Sequence, residues 1–111
     1  MRLAPKVRAL EEYVTANGRK PFADWLLNLR DRKGRAIILR RLSEAEEGNF
    51  GIYRELKDGL FELKVAYGPG YRVYFGIDGD ELILLLCGGD KGSQNRDIAA
   101  ARKYWFDYRT E

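Results

Sequence analysis

The sequence predicts an α+β fold in which an N-terminal helical hairpin is followed by an antiparallel β-sheet and a C-terminal helix. Apolar residues repeat with a helical period between positions 21 and 47 and again after position 93, whereas between positions 53 and 87 the period is two. Asp-Gly and Gly-Pro-Gly turns separate the segments of period two, which is typical of strands joined by hairpins. The 111 residues contain no repeat and no linker, and 45% of them are hydrophobic, so we expect a single domain over residues 1–111.

Two amphipathic segments predict the helical hairpin. The first begins at Pro21, where the missing N–H of proline does no harm, and Gly34 is expected to break its pattern. The second is expected over residues 35–47, with Gly48 as its stop. A short edge strand is expected ahead of the hairpin, within residues 7–14. The residues expected to face the core are Phe22, Trp25, Leu26 and Leu29 in the first helix and Ile38, Leu42 and Ala45 in the second.

Four strands are predicted to form an antiparallel meander, over residues 53–57, 60–67, 71–77 and 81–87. The last of them is apolar on both faces, so we expect it to be covered on both sides. A closing helix is expected from Ser93 onward, and its buried face is predicted to carry Ile98, Ala101, Trp105 and Tyr108.

The composition excludes several kinds of catalytic site. The chain has no histidine and one cysteine, Cys87, which lies in an apolar run and is interpreted as a core residue. The usual zinc sites and the Ser–His and Cys–His nucleophilic systems are therefore excluded, and acid–base chemistry must come from Lys, Tyr, Asp, Glu or Arg. No signal peptide or membrane-spanning run is visible, so we expect a cytoplasmic protein without a membrane partner. The net charge of +3 permits an acidic partner such as nucleic acid.

Alternation along the middle strands places four polar residues on one face of the sheet: Glu62, Lys64, Arg72 and Tyr74. If the turn at residues 68–70 pairs Tyr67 with Tyr71, Lys64 lies opposite Tyr74 and diagonal to Arg72. The loop at residues 88–93 adds Lys91 beside this face, next to a helix N-terminus that favours anions. An arginine fork and lysine point charges suit a phosphodiester. The alternative is an ordinary solvent-facing surface in which Glu62 pairs with Arg72.

Several motifs resemble a known family, in the same order and spacing over about residues 8 to 108. They are residues 18–26 (GRKPFADWL), 48–51 (GNFG), 58–63 (DGLFEL), 68–75 (GPGYRVYF) and 88–91 (GGDK). Together they resemble the addiction-module killer proteins, the phage-derived HigB-like branch of the RelE/ParE toxin superfamily. The resemblance implies a RelE-like (microbial RNase-like) fold with a twisted antiparallel sheet. It also implies that the chain is the toxin of a type II toxin–antitoxin system, an endoribonuclease that cleaves mRNA. RelE-like members cleave mRNA on the ribosome. A cognate antitoxin, usually a helix-turn-helix protein, is expected to bind and neutralise the toxin.

The family pattern matches this chain at Lys64, Arg72 and Lys91. It departs from the chain at Glu62, where RelE carries a second lysine, and near Asp97, where the functional tyrosine of RelE has no counterpart. Tyr74 or Tyr71 is a possible substitute.

The expected reaction is attack of an RNA 2′-hydroxyl on the adjacent phosphate, without metal or cofactor. Lys64 or Glu62 would assist removal of the 2′ proton, Arg72 would hold the phosphate, and Lys91 would neutralise charge or protonate the leaving oxygen. Two alternatives stay open at this point. One is a ParE-like toxin that poisons DNA gyrase, and the other is a non-catalytic antitoxin-binding module.

Overall fold

The fold is α+β, with three helices and one five-stranded sheet in the described residues. The computed structural model describes residues 2–111, so that Met1 of the expected domain lies outside the described residues. The sheet has the strand order β1-β5-β4-β3-β2. In chain order the elements are β1 (Ala9–Glu12), α1 (Pro21–Asn28), α2 (Arg32–Glu46), β2 (Tyr53–Glu55), β3 (Leu60–Val65), β4 (Tyr71–Asp78), β5 (Leu82–Gly89) and α3 (Gln94–Arg109), with a 3₁₀ turn at Lys91–Ser93 before α3.

The antiparallel meander of β2 to β5 is confirmed, and the expected edge strand is present as β1. The prediction of a wholly antiparallel sheet is wrong, because β1 runs parallel to β5 and makes the sheet mixed. No tight turn joins β1 to β5, since the helical hairpin and three strands lie between them in the chain. The hairpin geometry that imposes an antiparallel direction on the other strands is therefore absent at this edge.

The helical hairpin is confirmed, but the second helix begins earlier than expected. Asp31 caps α2, and its Oδ1 accepts a hydrogen bond of 2.8 Å from the Gly34 amide. Gly34 therefore belongs to the first turn of α2 and does not separate the helices. A Cβ at this position would lie 2.8 Å from the Tyr71 ring, so the glycine allows close packing of α2 on the sheet. The stop at Gly48, with φ +99°, agrees with the prediction.

Two apolar clusters cover the two faces of the sheet. The first lies between the sheet and the helical hairpin, where Phe22, Ile38 and Leu42 of the helices pack on the inward residues of β3 and β4, which are Phe61, Leu63, Val65, Tyr71, Val73 and Phe75. The second lies under α3 and contains Tyr74, Cys87, Ala101 and Trp105. The interpretations of Cys87 and Trp105 as core residues and of β5 as a strand covered on both faces are therefore confirmed.

The register between β3 and β4 differs from the predicted one by two residues. Lys64 lies opposite Arg72, and Glu62 lies opposite Tyr74. The reason is that β3 ends at Val65, because the chain turns at Tyr67, whose amide donates to the Val65 carbonyl at 2.8 Å. A shift of two residues preserves the pleat, so the predicted polar residues still share one face.

No helix in the described part of the chain, residues 2–111, has the length and apolar character needed to cross a membrane.

Candidate functional site

Four of the five predicted site residues border one depression of about 360 Å³ or lie beneath it. The depression lies on the α3 side of the sheet, where the first turn of α3 meets β2, β3 and β4. Its polar lining consists of Tyr53, Arg54, Glu62, Lys64, Arg72 and Gln94. We refer to it below as the cationic depression, because three of its six polar residues are lysine or arginine.

Glu62 occupies the centre of the cationic depression and is only 5% exposed. Its Oε1 accepts a hydrogen bond of 2.8 Å from Arg54 Nε. Its Oε2 accepts hydrogen bonds of 2.9 Å from the Tyr74 hydroxyl and from Gln94 Nε2. The Nε of Arg72 lies 3.7 Å from the same Oε2. Glu62 therefore connects β2, β3, β4 and α3 through one carboxylate.

The ionised form of Glu62 is favoured despite its burial. Burial alone raises the pKa of this carboxyl group, but the hydrogen bonds from Arg54, Gln94 and Tyr74 outweigh that effect and hold the pKa below its ordinary value. A carboxylate with a lowered pKa that already accepts three hydrogen bonds is a poor acceptor for a further proton. Its geometry suits it to hold the cationic side chains in place.

Arg72 is 7% exposed and is held at two points. Its Nη1 donates to the Gly70 carbonyl at 2.8 Å, and its Nε faces Glu62 without reaching hydrogen-bond distance. The buried Nε has no hydrogen-bond partner among the described residues. The guanidinium is thus anchored through Nη1 to the turn before β4, while the residue lines the cationic depression.

Lys91 lies outside the lining of the cationic depression but next to Arg72. A Cβ built on Gly70 would lie 3.3 Å from Arg72 Nη1 and 3.7 Å from Lys91 Cβ, so both side chains flank this glycine. Lys64 and Lys91 are exposed, whereas Arg72 is buried. One anchored arginine therefore lies between two exposed lysines, Lys64 opposite it in the β3–β4 ladder and Lys91 across Gly70.

The expected anion site at the start of the last helix is already occupied by a side chain of the protein. Asp90 Oδ1 accepts hydrogen bonds from the amides of Gly92 at 2.8 Å and Ser93 at 3.2 Å. This carboxylate caps the 3₁₀ turn, so these two amides are not available to a phosphate. The loop at residues 88–93 therefore contributes the Lys91 side chain to the surface beside the cationic depression.

Neither candidate tyrosine is accessible in the cationic depression. Tyr74 lies beneath it with no exposed surface, and burial together with its hydrogen bond to Glu62 raises the pKa of its hydroxyl. Tyr71 lies on the opposite face of the sheet, where it donates to Asp31 at 2.7 Å, and burial raises its pKa to about 12. Both hydroxyl groups serve as buried hydrogen-bond donors.

Sequence reasoning missed two residues of the site, Arg54 and Gln94. Arg54 is opposite Glu62 in the β2–β3 ladder, and its side chain is 57% exposed. Alternation in β2 places it on the same face as Glu62, so a cross-strand search from Glu62 would have found it. Gln94 is the first residue of α3, and only the docking of that helix brings it to Glu62. The predicted alternative, a Glu62–Arg72 pair, is present as a contact, but Arg54 makes the shorter ion pair.

Taken together, the fold and the site define an α+β protein with a cationic depression on an antiparallel part of its sheet. Within residues 2–111, no group of three or more His, Cys, Asp or Glu side chains is arranged to hold a metal ion. No protein-family model matches the chain. A protein of Haemophilus influenzae described as uncharacterized is 42% identical over 81 residues, which cover 73% of this chain and 82% of that protein. The chain belongs to the same family as this Haemophilus protein.

Proposed function

We propose that the chain is an endoribonuclease toxin of a type II toxin–antitoxin system, of the HigB-like branch of the RelE/ParE superfamily, and that it cleaves mRNA. The observation that carries the proposal is the position of Arg72 at the accessible cationic depression, anchored between Gly70 and Glu62, with Lys64 opposite it in the lining and Lys91 beside it across Gly70. The α+β architecture with a helical hairpin and a C-terminal helix is compatible with the RelE-like fold.

The geometry suggests how the reaction would proceed. A scissile phosphate bound in the cationic depression meets the anchored guanidinium of Arg72, which stabilises the additional negative charge of the pentavalent state. The RNA 2′-oxygen attacks the phosphorus, the bond to the 5′-oxygen breaks, and a cyclic phosphate and a 5′-hydroxyl result. Lys64 and Lys91 are the exposed groups that can move protons at the two oxygens. Glu62 positions Arg54 and Arg72, because its carboxylate is occupied by donors.

A second candidate is a non-catalytic module that binds an antitoxin. The observation that favours it is the burial of Tyr74 and the full occupation of Glu62, which leave lysines alone to transfer protons. Under this alternative the cationic depression is a binding surface only. A ParE-like gyrase poison would use it in the same way.

The decisive experiment compares four versions of the chain in cells and in purified form. They are the wild type, Arg72→Gln, Lys64→Gln and Lys103→Gln, the last being a control that removes an exposed lysine far along α3. We expect Arg72→Gln to lose about 100-fold or more in mRNA cleavage, the usual effect of removing one transition-state donor. Lys64→Gln should also lose cleavage, and Lys103→Gln should behave like the wild type.

Mapping of transcript 5′ ends after induction provides the readout, with thermal unfolding to confirm that each variant is folded. New 5′ ends inside reading frames for the wild type and Lys103→Gln only would support the proposal. A folded Arg72→Gln protein with full cleavage would refute the assigned role of Arg72. Growth arrest with intact transcripts and a DNA-damage response would assign the chain to the gyrase poisons. Purified ribosomes and an mRNA fragment test whether cleavage needs the ribosome, and co-purification with a helix-turn-helix protein tests the expected antitoxin.

A further inference from the structure

A second concave surface lies on the other face of the sheet, between the edge strand β1 and the helical hairpin. It encloses about 690 Å³ and is lined mainly by apolar side chains, including Leu10, Val14, Leu26, Leu27, Leu39 and Leu42. We refer to it as the hairpin groove. Leu27 is 72% exposed and Leu39 51% exposed, on two different helices that face the same groove. Large apolar side chains that converge in this way mark an interaction surface more often than isolated exposed leucines do.

On the outer edge of β1 the Arg8 amide donates to the Glu46 carbonyl at 2.9 Å, whereas the next outward amides, those of Leu10 and Glu12, have no hydrogen-bond partner among the described residues. The amides of Ala9 and Tyr13 donate to Glu81 and Leu85, on the β5 side. Because the direction of backbone groups alternates along a strand, those of Leu10 and Glu12 point away from β5, beyond the outermost strand. An open strand edge of this kind accepts an added strand from another chain.

The charges of the hairpin groove are opposite in sign to those of the cationic depression. Two carboxylates, those of Glu12 and Glu46, line it together with one lysine, Lys20, whereas the Glu11 side chain lies on the α3 face of the sheet. The Oε1 atom of Glu12 is buried and has no hydrogen-bond partner among the described residues. A buried carboxylate oxygen without a partner is costly, and a cation from an occupant would compensate for it.

We propose that the hairpin groove binds an extended segment of a partner protein, which pairs with the free edge of β1 and carries apolar side chains and at least one Lys or Arg. The apolar side chains would cover Leu27 and Leu39, and the cation would meet Glu12. The carboxylates disfavour RNA as the occupant. They also disfavour a second copy of this chain paired edge to edge, because the Glu12 carboxylates of the two copies would lie on the same face of the joined strands. This inference does not depend on the proposed ribonuclease activity.

The test is an unbiased selection of peptides from a display library on the immobilised wild-type chain. Each enriched peptide is then measured against three variants: Leu27→Glu combined with Leu39→Glu, Glu12→Gln, and Phe106→Glu as the matched control. Phe106 is 66% exposed and lies outside the hairpin groove, so Phe106→Glu introduces one such charge on a remote exposed apolar side chain and is compared with each single leucine substitution as well as with the pair.

We expect enriched peptides that contain Lys or Arg between apolar residues and that bind the wild type and Phe106→Glu equally. Binding should weaken by about tenfold or more in the Leu27→Glu, Leu39→Glu variant and by about tenfold in Glu12→Gln. The amides of Leu10 and Glu12 should become protected from hydrogen exchange when the peptide binds. Peptides without a basic residue, peptides insensitive to the groove substitutions, or the absence of any enrichment would overturn the proposal. Self-association that the same substitutions abolish would also overturn it, in favour of a second copy.

Discussion

Replacement of Tyr74 by phenylalanine separates a structural role of this hydroxyl from a catalytic one. The hydroxyl donates to Glu62 at 2.9 Å, and the residue has no exposed surface. Phenylalanine fills nearly the same volume, so the substitution removes the hydrogen bond and leaves the apolar packing under α3 intact. Glu62 keeps its hydrogen bonds from Arg54 and Gln94. The change is therefore confined to one donor on a charged, buried acceptor.

The expected effect of Tyr74→Phe is a loss of about 1.5–3 kcal/mol in the free energy of unfolding, the usual range for a hydrogen bond to a charged group. For a chain of 111 residues this corresponds to a melting temperature lower by roughly 6–12 °C. At 25 °C, where the variant is still folded, we expect RNA cleavage within about twofold of the wild type. A hydroxyl that transferred a proton in the reaction would instead contribute on the order of a hundredfold or more.

The assay combines urea unfolding with initial rates of RNA cleavage on the same protein preparations. Tyr71→Phe is a suitable comparison, because its hydroxyl also donates to a carboxylate, that of Asp31 at 2.7 Å, on the opposite face of the sheet. A Tyr74→Phe protein of unchanged stability would refute the inferred hydrogen bond. A folded Tyr74→Phe protein that has lost cleavage by a hundredfold would refute the structural interpretation and make the hydroxyl catalytic.

Three further predictions concern the site and its surroundings. Glu62→Gln should destabilise the chain by about 2 kcal/mol at pH 7. Because the folded-state pKa of Glu62 is lowered from 4.5, its contribution to stability is present above that pH and lost as the pH falls through the folded value. The difference between wild type and Glu62→Gln in urea unfolding should therefore shrink toward pH 3, and an equal difference at both pH values would contradict this. Gly70→Ala, at φ +81°, should lower cleavage more than Gly79→Ala, at φ +62°, because both strain the backbone but only Gly70 adjoins Arg72 and Lys91. Equal rates for the two alanine variants would argue against the convergence of those side chains. Burial raises the pKa of Cys87 to about 12, so a thiol reagent at pH 8 should modify it only after unfolding; rapid modification of the native chain would contradict its burial.

The face assignment of the polar residues could be predicted from the sequence because it depends only on the alternation of side chains. Any β3–β4 register that differs from the observed one by an even number of residues leaves the same four side chains on one face: Glu62, Lys64, Arg72 and Tyr74. The pairing itself depends on where the turn begins, and the early end of β3 at Val65 moved it by two residues. Turn geometry of this kind is set by a few backbone hydrogen bonds that periodicity does not reveal.

The chemical environment of the site could not be predicted in the same way. Alternation along β4 assigns Tyr74 to the polar face of the sheet, yet α3 and the neighbouring strands bury it completely. Glu62 looks like a solvent-facing strand residue until Arg54, Tyr74 and Gln94 are brought to it from three other elements. Long-range packing therefore decides which polar residues of one face are accessible. It leaves Lys64 exposed and buries Glu62, Arg72 and Tyr74.

The positions of the two proposed sites restrict how one partner could affect both. The cationic depression lies on the α3 face toward β2, and the hairpin groove lies on the opposite face at β1, the other edge of the sheet. The distance from β1 to β3 across the sheet is about 14 Å. A partner segment needs at least four or five extended residues to cover this distance, and further residues to pass to the other face of the sheet. The segment in the hairpin groove should be basic, whereas a segment that covers Lys64 and Arg72 should be acidic. A peptide that fills only the groove should therefore leave RNA cleavage unchanged, and inhibition would require a partner whose basic segment is followed by an acidic one. Inhibition of cleavage by the basic peptide alone would mean that the groove and the site are coupled through the sheet.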